Sequence, residues 1–419
     1  MSHGNHKEHR DLRCRPGLRS VVSLPMRHRE IIILAALSML GALSIDAYLP
    51  ALPSIARHFS VSLAASQQTL SVYLFAFAFM MLFYGTLSDS FGRRPVILGS
   101  LIVYFLSSLG AGLSNSLEEL IFFRLVQGLS AGAGSVVGRA IVGDLLIGAE
   151  AQRAMSYISV VFGLAPAIAP VLGGWLQSAF GWKSIFGFIA LFSLILLAIC
   201  LRWLPESLQR EHRHAFHFPV IVSNYWSVAR HGEFIFRCLD IALSFSGVML
   251  YVAGAPSFVM DILHLPVTSF GWLFIPLIGG MTLGSLVASK VSHHWKPSFT
   301  IFIGYALMSF SSLVSVIYSL LCTVSIPWVI IPLSLYSFGM ALASPAMTVQ
   351  TLELFPKVRG LASSLQGFTF MIIFALTSGL ICPLLFGSAF KIAAASIVGL
   401  LLSCICWLIG SRMKVSELA

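Results

Sequence analysis

The chain has 419 residues, of which 57% are hydrophobic and only 10% are charged, and its mean hydropathy is +0.90. Because soluble domains carry about 25% charged residues, this composition argues against a soluble enzyme and predicts a membrane protein with many spans. The net charge of +10 would suit a nucleic-acid partner, but the basic residues form short clusters between apolar runs, which argues against one.

The first 29 residues are polar and basic and lack apolar periodicity. Their histidines could suggest a metal tract, but we expect a disordered cytoplasmic tail instead. The following apolar run contains Asp46 and two prolines where a signal peptide would have small residues at a cleavage site. This run is therefore expected to be an uncleaved first span.

Apolar runs of about twenty residues, the length that crosses a bilayer, follow one another along the chain. No charged residue occurs between Lys296 and Glu353, a stretch too long for one crossing, and Cys322–Pro327 is its expected turn. Twelve spans result, at residues 30–50, 66–88, 95–113, 120–143, 154–178, 184–204, 236–258, 269–289, 299–321, 327–347, 361–383 and 389–410.

The distribution of Lys and Arg predicts the orientation of the chain. With the N-terminus inside, 21 of the 26 Lys and Arg residues fall on the cytoplasmic side, whereas three fall outside and two lie within the fourth span. Since cytoplasmic loops carry an excess of these residues, both termini are expected to be cytoplasmic.

A polar interval near the middle of the chain divides it into two halves of similar length, which indicates an internal repeat. The expected domains are a basic tail, a six-helix bundle, a cytoplasmic linker, a second six-helix bundle and a short tail, at residues 1–29, 30–204, 205–235, 236–411 and 412–419. Two such bundles would enclose a cavity at the bilayer midplane.

The loop between the second and third predicted spans contains glycine, acidic and basic residues in the order Gly85-Thr-Leu-Ser-Asp89-Ser-Phe-Gly92-Arg93-Arg94-Pro95. A basic turn that obeys the positive-inside rule is one interpretation. The other is a gate, in which Gly85 permits close helix approach, Asp89 accepts hydrogen bonds from helix N–H groups and Gly92 reverses the chain.

This stretch resembles the signature between the second and third spans of major facilitator superfamily transporters. More narrowly, the chain resembles the bicyclomycin/chloramphenicol-resistance branch (Bcr/CflA) of the twelve-span drug:proton antiporters. That likeness rests on four further stretches, Asp46-Ala-Tyr-Leu-Pro-Ala-Leu-Pro53, Arg124-Leu-Val-Gln127-Gly128, Arg139-Ala-Ile-Val-Gly-Asp144 and Ala165-Pro166-Ala-Ile-Ala-Pro170-Val-Leu-Gly173-Gly174. The resemblance implies an all-α membrane protein with the major facilitator fold.

Charged residues inside membrane spans are rare and usually functional. Asp46 lies in the first span and Arg124 in the fourth, although each could instead be interfacial, with Arg124 extended to the headgroups. The resemblance gives both residues a part in proton coupling and substrate response, together with the neighbouring Tyr48 and Gln127. We expect Arg124 and Asp46 to interact electrostatically, with or without direct contact.

Other charged residues lie closer to the predicted span ends. The resemblance places Asp144 with Asp89 and Arg93 in a cluster that closes the cytoplasmic side. Ordinary charge at the membrane flank is the alternative for Asp144 and for Arg139. Asp240, near the start of the seventh span, is expected to be interfacial.

The fifth predicted span contains an antiporter-like motif of Pro166, Pro170, Gly173 and Gly174, although Ala169 replaces the glycine that the general antiporter signature has before its second proline. Prolines would kink this helix and glycines would allow the second half to pack closely. A purely structural kinked helix is the alternative.

No sequence signature of an enzyme or of a bound cofactor is present. The phosphate-binding loop, the nucleophile elbow and zinc-ligand spacing are missing, and the seven cysteines are scattered without a Cys-x-x-Cys pair. We expect no enzymatic activity, no cofactor, no metal and no disulfide framework.

The resulting expectation is a proton-coupled exporter of small, partly hydrophobic compounds that works by alternating access, in a bacterial inner membrane and as a monomer. A dedicated exporter of an endogenous metabolite or siderophore, or an importer on the same fold, remains an alternative. A membrane sensor that does not transport is a third, disfavoured by the short loops.

Overall fold

The structure, a computed structural model, describes residues 28–213, 217–292, 294–356 and 358–416, and every regular element in these ranges is helical. Most of the predicted N-terminal tail and the end of the C-terminal tail lie outside the described residues. The first half contains nine α-helices: α1 (His28–Asp46), α2 (Leu52–His58), α3 (Leu63–Met81), α4 (Tyr84–Phe91), α5 (Arg93–Leu113), α6 (Leu117–Ala131), α7 (Ala133–Leu145), α8 (Ala149–Phe180) and α9 (Lys183–Trp203).

A short helix, α10 (Phe218–Ala229), lies between the halves. The second half contains the remaining α-helices: α11 (Gly232–Ser244), α12 (Ser246–Ala253), α13 (Gly271–Val291), α14 (Pro297–Leu321), α15 (Ile330–Leu352), α16 (Arg359–Leu376), α17 (Cys382–Leu385) and α18 (Ala389–Ser416). Single π-helical segments follow α12 and α16, at Ser257–Ile262 and Thr377–Ile381.

The described residues contain eleven helical stretches long and apolar enough to cross a membrane. A twelfth results when α11 and α12, which are bent by 46° relative to each other, are counted as one span. The twelve predicted spans are therefore confirmed, including the division of the long uncharged stretch, since α14 ends at Leu321 and α15 begins at Ile330. The protein is an all-α, multi-pass membrane protein.

The outer surface of the helices is apolar, as a lipid environment requires. Large side chains such as Trp175, Phe302 and Leu401 are more than half exposed. Contiguous apolar surface on this scale does not occur on a monomeric protein in water. Helices satisfy all their internal backbone hydrogen bonds, which makes them stable in hydrocarbon.

Local sequence explains where several helices begin. Ser116 caps α6 by accepting a hydrogen bond from the Glu119 backbone N–H at 3.2 Å, and the Glu119 carboxylate accepts from the Asn115 N–H at 2.8 Å. This reciprocal arrangement satisfies N–H groups that a helix start leaves free. The His231 ring accepts a hydrogen bond from Phe234 N–H at the start of α11, inside the predicted linker.

The helix ends form two faces of the molecule. We call the face that carries Arg93, Arg153, Arg202, Lys290 and Arg412 the basic face, because most Lys and Arg residues lie there. The opposite face carries Arg57, Lys183 and Lys391.

The two halves meet most closely near the opposite face. Gln67 of α3 donates hydrogen bonds to the Ala253 carbonyl at 3.1 Å and to the Ser378 hydroxyl at 2.9 Å. Gln68 donates to the Gly379 carbonyl at 2.9 Å, and Ser71 donates to Ser378 at 3.2 Å. These four hydrogen bonds join α3 to the second half, so this face is closed.

Candidate functional site

A cavity of about 380 Å³ lies between the two halves, a size suited to a small organic molecule. It is lined by residues of α1, α3, α6, α7 and α8 from the first half, and by Phe245 and residues of α12, α13 and α16 from the second. Aromatic and methionine side chains make up much of its wall, among them Phe77, Met81, Phe245, Met281 and Phe370. Such side chains adapt to apolar molecules of different shapes.

Asp46 lines this cavity at the end of α1 and is only 5% exposed. The chain continues beyond it through a 3-10 turn, Leu49–Ala51, and through α2 to His58, so Asp46 does not lie at the end of the span. Among the described residues, its carboxylate has no hydrogen bond or ion pair. A carboxylate that faces a cavity without a fixed partner can exchange a proton with its contents.

Arg124 is fully buried within the first half. Its guanidinium donates to Gln127 Oε1 at 2.6 Å and to the backbone oxygens of Ser44 at 3.3 Å and Thr69 at 3.4 Å. It also lies 4.4 Å from the Tyr48 ring centre. Burial excludes the alternative that Arg124 extends to the headgroups.

A network of neutral polar groups surrounds Arg124. The Tyr48 hydroxyl and the Thr69 hydroxyl are 2.6 Å apart, and Gln127 donates to Ser108 at 2.8 Å. Gly128, one residue further, packs so closely on α3 that an added Cβ would clash with the Tyr73 carbonyl. The small residue thus lets α6 bring Arg124 into the bundle.

The structure corrects the grouping of Asp46, Arg124, Tyr48 and Gln127 as one cavity site. Asp46 lines the cavity, whereas the other three are buried behind its wall. No ion pair joins Arg124 to Asp46 among the described residues. The reason is helix rotation, which turns the polar face of α6 towards α3 and α5 and away from the second half.

At the basic face, Arg93 joins three helices of the first half. Its Nε donates to Asp144 Oδ2 of α7 at 3.0 Å, and its Nη1 forms an ion pair with Asp89 of α4 at 2.5 Å. The same nitrogen donates to the Ser88 hydroxyl at 2.7 Å. The structure thus brings together the predicted trio of Asp89, Arg93 and Asp144.

Two linker residues that sequence reasoning missed complete this cluster. Glu206 accepts hydrogen bonds from the backbone N–H groups of Arg93 and Arg94, at 3.0 and 3.3 Å, and so takes the helix-capping part expected of Asp89. Ser207 donates to Asp144 at 2.7 Å. A carboxylate at a helix start is stabilised by the free N–H groups there.

The remaining motif residues differ in their surroundings. Gly92 has φ of 101° and ψ of 153°, a conformation essentially restricted to glycine, as expected for a chain reversal. The Arg94 side chain points away from the cluster and donates to the Leu201 carbonyl at 2.6 Å. The close helix approach expected at Gly85 is wrong for this structure, because an added Cβ would meet no described atom within 4 Å.

In the fifth span, α8 continues as one helix through Pro166 and Pro170. Pro166 lines the cavity. An added Cβ at Gly174 would clash with the Val267 carbonyl of the second half, so the expected close packing between halves is present there. Gly173 instead packs against the Ala47 backbone, next to Asp46.

Two further charged residues lie where the sequence did not place them. Asp240, expected at the interface, is 2% exposed and accepts hydrogen bonds from Tyr305 and, at 2.8 Å, from Ser403. For Arg139, which was counted within the fourth span, the alternative of a membrane-flank charge is wrong, because Arg139 lines the cavity. The sequence contained a signal for the position of Arg139. Gly134 and Gly138 mark the face of α7 that packs on α1, and Arg139 follows Gly138 directly.

Comparison with known proteins agrees with this architecture. Residues 34–378 match the family model described as Major Facilitator Superfamily. The chain is 31% identical over 337 residues to a bicyclomycin resistance protein homolog of Haemophilus influenzae, covering 80% of this chain and 84% of that protein. It is 25% identical over 342 residues to multidrug resistance protein D of Escherichia coli, covering 80% and 84%. A chloramphenicol resistance protein of Pseudomonas aeruginosa is 26% identical over 337 residues, covering 79% and 78%.

Proposed function

The chain belongs to the Major Facilitator Superfamily and is therefore a transporter rather than an enzyme, and we propose that it is a proton-coupled exporter of small, partly hydrophobic compounds. The names of its relatives, which refer to resistance against bicyclomycin, chloramphenicol and several drugs, support drug compounds as cargo. The resemblance to the Bcr/CflA branch agrees with them.

The observation that carries this proposal is the position of Asp46. Among the described residues, Asp46 is the single acidic side chain in the wall of a largely apolar cavity between the two halves. Protonation of this carboxylate removes a charge from the cavity, which changes how strongly it binds a substrate that donates a hydrogen bond or carries positive charge. Proton and substrate then compete for the same cavity, as antiport requires.

Alternating access follows from two halves that rock about the cavity. In the structure the opposite face is closed, while the Arg139 side chain in the cavity wall is accessible from the cavity. With the basic face in the cytoplasm of a bacterium and the protein in its inner membrane, this conformation accepts cargo from inside. Charge asymmetry between the faces supports that orientation.

The experiment uses the purified full chain in proteoliposomes. A panel of uncharged and cationic antibacterial compounds is offered with and without an imposed pH gradient. We expect gradient-dependent movement of at least one compound together with proton counterflow. If the compounds move at the same rate without a pH gradient as with a gradient of either sign, proton-coupled export is rejected.

A further inference from the structure

The cavity contains a second charge at a distance from Asp46, and this charge has no acidic partner. Arg139 of α7 lines the cavity, and its side chain is accessible there. Its Nε donates to the Ser135 carbonyl at 2.9 Å. Among the described residues no carboxylate lies within ion-pair distance of Arg139, and its two terminal nitrogens have no hydrogen-bond partner.

The packing of α7 on α1 fixes how far apart the two charges are. Gly138 lies next to Leu34, because an added Cβ would be 3.7 Å from a methyl group of Leu34. Asp46 is twelve residues further along α1 than Leu34. At a rise of about 1.5 Å per residue, Asp46 and Arg139 are separated by about 18 Å along the helix axis.

The two charges therefore cannot neutralise each other, and they lie towards different ends of the cavity. Asp46 is near the closed, opposite face, and Arg139 is towards the basic face. Between them lie apolar side chains that include Phe77, Phe245, Met281 and Phe374. The cavity is thus bipolar, with an apolar middle.

We propose that Arg139 is a specificity-determining residue that binds an anionic or electron-rich acceptor group of the substrate, such as a sulfonate, carboxylate or nitro group. This inference deepens the proposed function and rests on it, since it assumes that the cavity binds a transported substrate. A guanidinium presents several donors in a fixed plane, which suits a group with two acceptor oxygens. The apolar body of the same molecule then packs against the aromatic and methionine side chains of the cavity.

The test compares two probes with one apolar body and opposite charges, naphthalene-2-sulfonate and (naphthalen-2-yl)methylammonium. Binding to the purified full chain in phosphatidylcholine nanodiscs is measured by calorimetry, with empty nanodiscs as the blank. In Arg139→Gln we expect sulfonate affinity to fall by about tenfold or more, since a charge-assisted hydrogen bond is lost. Ammonium affinity should stay equal or rise, because a like charge is removed.

Two other variants complete the design. Arg139→Lys keeps the charge without the planar fork and should retain part of the sulfonate affinity. Arg153→Gln removes an exposed arginine that is not in the cavity wall, and it should leave the affinity for both probes unchanged. Equal loss of both probes in Arg139→Gln would assign Arg139 a structural role and overturn the proposal.

The proposal is also overturned if the wild-type protein does not bind the sulfonate, or binds it as tightly as Arg139→Gln does. Either result leaves proton-driven flux of an uncharged compound intact as evidence for the proposed function. Conversely, sulfonate binding that depends on Arg139, without any gradient-driven flux, would support this inference and reject proton-coupled export.

Discussion

The guanidinium carbon of Arg124 lies 4.1 Å from the centre of the Tyr73 ring. Tyr73 in turn donates its hydroxyl to the Gly41 carbonyl of α1 at 3.2 Å, one helix turn before Asp46. Tyr73 is also within electrostatic reach of Asp46. Arg124 thus contacts the helix that carries the cavity carboxylate both directly, through the Ser44 carbonyl, and through the Tyr73 ring. No ion pair joins Arg124 to Asp46 within the described part of the chain, and we propose that the two charges are coupled across this contact.

This arrangement predicts the effect of Arg124→Gln. Because a nearby cation favours an ionised carboxylate, its loss should shift the pH midpoint of substrate binding upward, by up to about one pH unit. Substrate binding measured from pH 5 to 9 by calorimetry checks this. Arg124→Lys, which keeps the charge, is the control and should stay near the wild-type midpoint. An unchanged or lower midpoint in Arg124→Gln would count against coupling, even if transport were abolished.

Two buried aspartates allow a matched test of the proton carrier. Asp46→Asn should insert and fold but lose pH-driven flux, since an amide cannot take up a proton at these pH values. Asp240→Asn should retain most of the flux, because Asp240 does not line the cavity and accepts hydrogen bonds from Tyr305 and Ser403. Flux in proteoliposomes with an imposed pH gradient is the measurement. The opposite pattern would assign proton exchange to Asp240.

Two glycines of one motif should differ in their effect on stability. An alanine Cβ at Gly92 would lie 2.6 Å from atoms of Arg213 and Glu206, in a backbone conformation that costs about 1–3 kcal/mol for other residues. Gly92→Ala should therefore lower the unfolding temperature by several degrees. Gly85→Ala, with open space around it, should be neutral. Thermal unfolding followed by intrinsic fluorescence would show the difference, and equal effects would contradict it.

The cluster around Arg93 should influence which face of the cavity is open. The resemblance implies that this cluster closes the basic face, so we expect Asp89→Asn, which removes one of the two carboxylate partners of Arg93, to weaken the outward-facing state. A cysteine probe introduced by Ser159→Cys in the cavity wall should then react faster with a reagent added at the basic face. Substrate affinity in detergent should stay within about twofold. Unchanged labelling together with lost expression would mean that Asp89 acts in topology or assembly alone.

Close packing at Gly174 should stabilise the closed opposite face. Gly174→Ala places a methyl group against the Val267 carbonyl, so the halves should separate there. Gly163→Ala on the same helix has open space and is the control. Labelling of a cysteine at Thr268 from the opposite face should increase only in Gly174→Ala. If both variants label alike, this contact is not part of the closure.

Sequence periodicity and charge predicted the fold well, because span length is set by bilayer thickness. The resemblance to major facilitator transporters grouped Asp89, Arg93 and Asp144, whose contacts lie within one bundle. Glu206 was missed because its cap joins residues more than 110 positions apart. The separation of Arg124 from the cavity was missed for a related reason, since helix rotation about its axis depends on packing with several neighbours.

The linker illustrates another limit of sequence reasoning. Its polar composition predicted a cytoplasmic linker at 205–235, and the structure has α10 inside this interval and the start of α11 at Gly232. Glu233 falls in the predicted linker and Arg237 just inside the predicted second bundle. In the structure they form an ion pair of 2.8 Å in which Glu233 is almost fully buried. A pair one helix turn apart can lie inside a bundle because each residue neutralises the other.

The hydrogen bonds that close the opposite face are donated by Gln67, Gln68 and Ser71, and none of these bonds contains an ion. Breaking these hydrogen bonds moves no formal charge through the transmembrane electric field. Moving one elementary charge across that field would change the free energy by about 2.3 kcal/mol per 100 mV. This closure is therefore electrically silent. Any voltage dependence of its opening must come from charges elsewhere, such as the proton on Asp46 and the cargo. Currents recorded from oriented membranes would then contain no gating component from this face.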